Sequence, residues 1–413
     1  MAGRSDRHPR VLAVVENEPL GRDRRLEKQM RSLVEAGYRV TVVTRRHPGN
    51  HDIPGIDVVE YPALRDAASK LGFVREYGLS FLFALAALVR VAIRPGFDVL
   101  QLCSPPDFFF PLAVLARWLG KPTVVDLRDT SPELYAARYG GTRGPLYRAL
   151  LLAEKASFRS ANAVLPANGS FADIIRRRVG LPDHTVTVVG NGPPLSLTTP
   201  RPPRPQLRDG RRHLVCWIGA MGPQDRLDLG VRVVHELVRE QGRADCSFAF
   251  VGDGETFEET RALARELGVE DWIGFPGFLS HDEAFDYLAT ADVAIDPGTD
   301  DTVAPVKVSE YMAFRVPVVA FDLTEVRGLA GEAALYAPPG DVKAMAHLID
   351  ELLDRPDLRR RLGAAGRQAV EQRLAWDHQA ADYIGVFDRL LRRRPASSSA
   401  LAQTGMARKE NEE

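Results

Sequence analysis

Cysteine is scarce in this chain: three residues, Cys103, Cys216 and Cys246, far apart and odd in number. Each lies in or beside an apolar, strand-like run, which fits buried thiols in a reducing compartment and no disulfide framework. Metal-ligand spacing of His, Cys and carboxylates is also missing, so no metal is expected. Charge of one sign is not in excess: 54 Lys and Arg stand against 55 Asp and Glu, a formal net charge of -1. That balance excludes a dedicated nucleic-acid binder, whose basic excess shows globally or as a dense stripe. Long hydrophobic runs are absent too. The first apolar run, Val11 to Val15, is too short for a signal-peptide core. The longest, SFLFALAALVRVAI from Ser80 to Ile93, is interrupted by Arg90 and falls below the roughly 20 residues a bilayer span needs. A cytoplasmic location follows as the expectation. With Lys70, Arg75, Arg90 and Arg94 around it, that run reads as a helix buried over a sheet or as one lying on a membrane surface.

What is present is alternation. With 413 residues, two domains are expected. Short apolar strands alternate with amphipathic helices, the signature of a parallel sheet covered on both faces. Strands are expected at Val11–Val15, Arg39–Thr44, Val99–Cys103, Thr123–Leu127, Ala163–Pro166 and Thr185–Val189. A second series follows at Leu214–Ile218, Phe248–Val251, Trp272–Phe275, Val293–Ile295 and Val316–Phe321. Between them the proline-dense PPLSLTTPRPPRPQLRDGRR reads as a linker. The expected organisation is therefore a domain over 1–195, a linker over 196–212, a second domain over 213–375, a helix over 376–393 returning to the first domain, and a disordered tail over 394–413.

Ligands of open α/β sheets bind beyond the carboxyl ends of the strands. In the second domain this selects GAMGPQD (Gly219, Met221, Gly222), GDGE (Gly252, Asp253, Gly254), GFPGF (Phe275, Gly277, Phe278) and DTVAPVKVSEYMAF. In the last, Pro305 is read as the first helical residue, with Val306 and Lys307 in the first turn and Glu310 one turn on. A lysine there opposes the helix dipole. Either it forms a solvated pair with Glu310, or it serves as counter-charge to an anionic ligand such as a diphosphate. In the first domain, Gly21 and the turn Asp23-Arg24-Arg25 follow the first strand; Asp23 is a helix cap followed by surface arginines, or the loop reaches a ligand. Arg128 and Asp129 end the strand TVVDL, with Glu133 one turn on, as an acceptor wall or as a capped helix start.

KVSEYMAFRVPVVAFDLTEVRGLAG resembles the donor-site segment of the retaining GT-B glycosyltransferases, and more narrowly bacterial amino-sugar transferases of polysaccharide synthesis. DRRLEKQMRSLVEAGYRVTVVT, SPPDFFF, DTSPELYAARYG, NGP, MGPQD, VGDGE, EYMA and LAWDHQAADY extend the likeness over nearly the whole chain. The resemblance implies an α/β GT-B fold of two Rossmann-like, doubly wound domains facing across a cleft. It implies transfer of a hexosyl or N-acetylhexosaminyl group, with retention, from a nucleotide-diphosphate sugar to a glycan or lipid-linked acceptor. Peripheral contact with the inner face of the cell membrane would accompany such an acceptor. It assigns Lys307 to the diphosphate and Glu310 to ribose hydroxyls, and the glycine loops with Phe275 and Phe278 to the nucleotide pocket. Gly21, Arg25 and Arg226 would approach donor phosphate or sugar. Pro106, Asp107 and Glu133 would face the acceptor, and Arg128 and Asp129 would orient it.

Four departures stand out. Ala220 and Asp225 occupy places where many relatives carry Arg and Lys, and Arg226 follows where Gly is usual. Thr302 replaces the first Glu of the E-x7-E pattern. Val303-Ala304-Pro305-Val306 replaces the usual Ser-Thr-Met-Asn, and Arg128 stands where a His is common. They admit an alternative: a degenerate relative that binds a nucleotide sugar or a partner glycosyltransferase without turnover. A nucleotide-sugar epimerase is a weaker third reading, since no acid–base carboxylate/His set is found.

Overall fold

Runs of β-branched and aromatic residues four to seven long, each followed by a helix, leave the chain little choice but parallel pairing through crossovers. In the computed structural model, which describes residues 8–62, 70–139 and 144–392, this produces two sheets. The first contains β1 (Arg10–Val14), β2 (Arg39–Arg45), β3 (Ile56–Tyr61), β4 (Val99–Ser104), β5 (Thr123–Leu127) and β6 (Ala163–Pro166). The second contains β7 (His213–Ile218), β8 (Cys246–Val251), β9 (Ile273–Gly277), β10 (Val293–Asp296), β11 (Val318–Phe321) and β12 (Ala334–Ala337). Their orders are β3-β2-β1-β4-β5-β6 and β12-β11-β10-β7-β8-β9, with every pairing parallel. Read from its first strand outward, the second sheet repeats the order of the first. Each is doubly wound, with its switch point between β1 and β4 or between β7 and β10.

Two strands outside the expected set, β3 and β12, each close one edge of a sheet. Edge strands are half-solvated and need no continuous apolar run: β3 reads IDVVEY, β12 only ALYA. Conversely, the strand expected at Thr185–Val189 is not one. A 3-10 turn covers Asp183–Thr185, and beyond it the chain touches β6 through a single bridge, Val164 to Val186. Only Thr187 and Val189 donate to it, at the carbonyls of Val164 and Pro166.

The chain divides into one unit of Met1–Val189 with Ala380–Glu413 and another of Gly190–Gln379. The expected linker is therefore part of the second unit. Arg201 and Arg204 pair with Asp286, Arg208 pairs with Asp292, and Thr198 is fully buried. Proline there excludes α-helix and strand but neither 3-10 turns nor packing. The helix Trp376–Leu391 begins in the second unit and ends in the first. Tyr383 on it donates to Gln101 Oε1 at 2.6 Å, and Asp388 accepts from Tyr38 at 2.6 Å, both in buried surroundings. The expected disordered tail over 394–413 lies outside the described residues.

Apolar side chains fill both units. In the second, Trp217, Phe248, Phe250, Tyr311 and Phe321 are fully buried, each contributing about 1.5–3 kcal/mol relative to exposure. All three cysteines are buried and unpaired; burial pushes the Cys103 thiol up to about 12 and Cys246 up to about 11. Among the described residues no helix is long and apolar enough to cross a membrane.

Candidate functional site

Beside the second sheet's switch point, the three loops that follow β7, β8 and β9 lean on one another. Gly219 N–H donates to Val251 O, Met221 N–H to Asp253 O, Gly252 N–H to Gly277 O and Thr256 N–H to Met221 O. The glycines serve this contact. A Cβ on Gly252 would stand 1.8 Å from Gly219 O, and one on Gly254 2.7 Å from Met221 O. Glycine is thus required at both positions by the neighbouring backbone. Met221, expected to touch the donor, is fully buried in the core.

Lys307 comes to this point because the helix Val306–Ala313 is pinned there. Tyr311, one turn further on, is fully buried and its hydroxyl accepts from Ile218 N–H at 3.0 Å, at the end of β7. Pro305 is the cap rather than the first helical residue; Lys307 is therefore second in the first turn. Its ammonium lies 4.6 Å from the Trp217 ring centroid, a cation–π distance. It forms an ion pair with Asp225 and stands 3.9 Å from Asp296. The three side chains are 14%, 13% and 5% exposed. Burial drives the Asp296 carboxyl above its ordinary range, Lys307 opposing the rise and Asp225 adding to it. Asp225 thus supplies the main counter-charge. Lysine at this helix start is tolerated because the chain sets a carboxylate and an indole face against it.

Asp296 and Trp217 were not among the expected residues. A strand ending in Asp (VAID) and an indole one residue before a strand's end are their only signals, and neither is specific. Of the other donor-side residues, Arg226 is in the left-handed region (φ 49°) and bidentate to Asp228 at 2.9 and 3.0 Å. Phe275 packs edge-on to Phe250 and Phe257. Phe278, just past β9, is 70% exposed. Asp253 is exposed and accepts from Gly254 N–H at 2.7 Å. Glu310 and Val306 are partly buried.

In the first unit the expected cations turn inward. Asp23 caps the helix Arg24–Glu35, accepting from Leu26 N–H at 2.9 Å. Arg25, expected near donor phosphate, is 5% exposed, paired with Asp126 at 2.7 Å and donating to Val189 O. Arg128 pairs with Asp126 at 3.0 Å and with Asp23, and donates to Cys103 Sγ at 3.2 Å. Asp126 is fully buried; burial alone would raise it, but Arg25 and Arg128 with Gln29 carry it below the usual range. Gln29 donates to Asp126 and accepts from Gln101, linking the cluster to Tyr383. Arg25 and Arg128 are therefore committed to a buried network, in place of the exposed roles expected of them. Gly21 is needed for packing: a Cβ there would lie 2.5 Å from Gly49 C. Asp107, behind Pro106, is buried and accepts from Ser104 Oγ at 2.6 Å and from Ser131 Oγ; burial raises it. Glu133 pairs with Arg178, which also holds buried Glu154 at 2.7 Å. Asp129 is half-buried between β5 and the helix Ser131–Tyr139. Among the described residues no group of three His, Cys or carboxylates could hold a metal ion.

Two family models match, "Glycosyl transferase 4-like domain" over residues 21–192 and "Glycosyl transferases group 1" over 212–355. The chain belongs to this glycosyltransferase family. Its relatives include the alpha-D-kanosaminyltransferase of Streptomyces kanamyceticus, 26% identical over 346 residues, covering 80% of this chain and 84% of that protein. The MMP alpha-(1->4)-mannosyltransferase of Mycolicibacterium hassiacum is 29% identical over 272 residues, 64% of each chain. In fold the glycosyltransferase is similar to sucrose-phosphate synthase from Thermosynechococcus elongatus, with TM-score 0.75 at 16% identity over 93% of this chain and 99% of that one. Anabaena HepE in complex with UDP and glucose gives 0.73 at 17% identity, over 92% and 100%. The fold is thus GT-B, and glycosyltransferase activity is supported by the family and its named relatives.

Proposed function

We propose that the chain moves a hexosyl or N-acetylhexosaminyl group from a nucleotide-diphosphate sugar to a hydroxyl of a glycan or lipid-linked glycan, in the cytoplasm and with retention. The observation that carries this is Lys307. Its ammonium is fixed at the switch point of the second sheet, at a helix start with no side-chain cap, where a pyrophosphate finds both a cation and the positive end of a helix. The relatives' printed names support the sugar class. In this reading the diphosphate displaces Asp225 from part of its contact with Lys307, and Glu310 accepts from ribose hydroxyls. Phe278 stacks on the base, with Gly219, Gly222, Gly252 and Gly254 shaping the loops. The C1–O bond to phosphate breaks, the C1–O bond to the acceptor forms on the same face, and the acceptor proton passes to the departing diphosphate. Lys307 and the helix N-terminus stabilise the charge that develops there. Asp129 and Glu133 in the first unit belong to the acceptor side, while buried Asp107 is held by Ser104 and Ser131 and does not face an acceptor. No metal enters this scheme.

A second reading has its own support. Lys307, Arg25, Arg128 and Arg226 are all paired with carboxylates of the chain itself, and Thr302 and Arg128 replace residues common in relatives. A chain so neutralised would bind a nucleotide sugar or a partner glycosyltransferase without turnover. Incubation with a panel of nucleotide sugars and glycan acceptors, followed by mass spectrometry, decides between the two. A glycosylated product with release of nucleoside diphosphate supports transfer. Saturable binding with no product across the panel supports the second reading.

A further inference from the structure

The first three residues of β10, Val293, Ala294 and Ile295, are apolar and fully buried. The fourth is a carboxylate. Asp296 lies in register with Ala320 of β11 and is itself buried. Taking a carboxylate out of water is costly unless a cation or hydrogen-bond donors compensate it. Among the described residues, three elements bring charged or polar groups to it. The helix Val306–Ala313 brings Lys307, with Nζ 3.9 Å from Oδ1, and Tyr311. The turn after β7 brings Asp225, a second carboxylate, and the loop after β10 brings the Gly298 N–H.

The neutral side chains nearby do little for its charge. Tyr311 commits its hydroxyl to Ile218, accepting from the N–H at 3.0 Å. Trp217 packs against the same ammonium, but its buried Nε1–H meets no acceptor, Asp296 included. Lys307 is therefore the cation on which Asp296 depends, and it is shared, since its ammonium also forms the ion pair with Asp225. Burial raises the Asp296 carboxyl and Asp225 raises it further, with Lys307 as the main opposing influence. The free chain divides one positive charge between two carboxylates. Asp225 is the more exposed of the two, 13% against 5%, and also accepts from Gly222 N–H at 3.1 Å. Asp296 lies deeper, with one backbone N–H beside Lys307, so it loses most when the ammonium turns to another anion.

We propose that Asp296 is a positioning residue whose own charge is exchanged in donor binding: it helps hold the Lys307 ammonium in the free chain and takes up a proton when a diphosphate claims that ammonium. The inference rests on the diphosphate reading above and adds a proton to it. The step is a protonation only. One O–H bond forms on the carboxyl, the proton comes from solvent, and no bond of the donor breaks. A neutral carboxyl beneath the ammonium no longer repels the arriving phosphates. The bound complex holds this proton to higher pH than the free chain does. Between those two values binding takes the proton up, and affinity falls as pH rises.

Titration calorimetry of UDP, GDP and ADP against the full chain, in buffers of different ionisation enthalpy between about pH 6.5 and 8.5, counts the protons bound with the nucleotide. The native chain should take up more than Asp296→Asn, by up to about one proton. Its affinity should fall with rising pH by up to about tenfold per unit, where that of the variant falls less. The terminal phosphate of the nucleotide titrates in both experiments, so the difference between the chains belongs to Asp296. Asp296→Ser removes the same charge and serves equally should the amide variant not fold. The matching nucleoside should bring no proton to either chain. A side chain that merely packs the strand end would, as Asn, shift affinity evenly at every pH and leave the proton number unchanged; that result overturns the assignment. Equal uptake with the nucleoside overturns it too. Nucleotides that bind both chains with equal proton numbers leave the diphosphate reading standing, whereas no binding by any of them overturns that reading and this one together.

Discussion

Replacing Asp225 with Asn tests how the Lys307 site is balanced. In the structure the ammonium faces Asp225 as an ion pair, with Asp296 at 3.9 Å and pushed by burial toward its neutral form. A diphosphate arriving at Lys307 therefore meets the Asp225 charge as well. Over about 7 Å, at an effective dielectric between about 20 and 40, a carboxylate repels one phosphate charge by roughly 1–2 kcal/mol. Asp225→Asn keeps shape and removes that charge. Nucleoside diphosphate should bind about five- to thirtyfold more tightly to the variant, while the parent nucleoside binds unchanged. Isothermal titration of UDP, GDP, uridine and guanosine against both proteins measures it. If Asp225→Asn weakens the diphosphate instead, Asp225 holds Lys307 in its binding position and the competition argued here is wrong. A nucleoside that gains as much as the diphosphate would place the effect away from the phosphates.

Other outcomes follow from named contacts. Gly252→Ala puts a Cβ 1.8 Å from Gly219 O at φ 141°; it should cost at least about 2–4 kcal/mol in urea unfolding, and a change under about 0.5 kcal/mol would contradict the loop packing. Asp126→Asn strands the buried guanidinium of Arg25 and removes one of the two carboxylates of Arg128, and should lower stability by about 3–5 kcal/mol; an unchanged melting temperature would show that the network is not needed. His213 is buried with both ring nitrogens lacking hydrogen-bond partners, and burial holds its pKa below the ordinary value. Between those two values the unfolded chain binds the proton and the native one does not, so stability should fall as pH drops below about 6.5, by at most about 1.4 kcal/mol per pH unit. Denaturant titrations from pH 8 to 5 should show His213→Phe with the shallower slope; equal slopes would assign the dependence to other groups.

The doubly wound architecture was legible because central strands must be buried on both faces, and runs such as RVLAV and HLVCWI announce that. Edge strands carry no such requirement, so IDVVEY and ALYA passed unmarked. At the site, Lys307 was legible from its uncomfortable place at a helix start, but its partners were not. Asp225 is 82 positions away and Asp296 is 11, and only the adjacency of β7 and β10 brings them to one ammonium. The glycines were legible as special, but the loop packing that demands them at Gly252 and Gly254 was not, because the neighbouring backbone of Gly219 and Met221 comes from another strand end. Arg25 and Arg128 failed for a related reason. An arginine beside a strand end looks solvated until its partner, Asp126, is known to sit inside the sheet.

The central claim is that the ammonium at the second switch point receives a diphosphate. Lys307→Ala should weaken UDP or GDP by about 1.5–3 kcal/mol, the worth of a charged hydrogen bond, and leave uridine or guanosine within error of the native protein. Equal loss for the diphosphate and its nucleoside, or no loss for either, would contradict it.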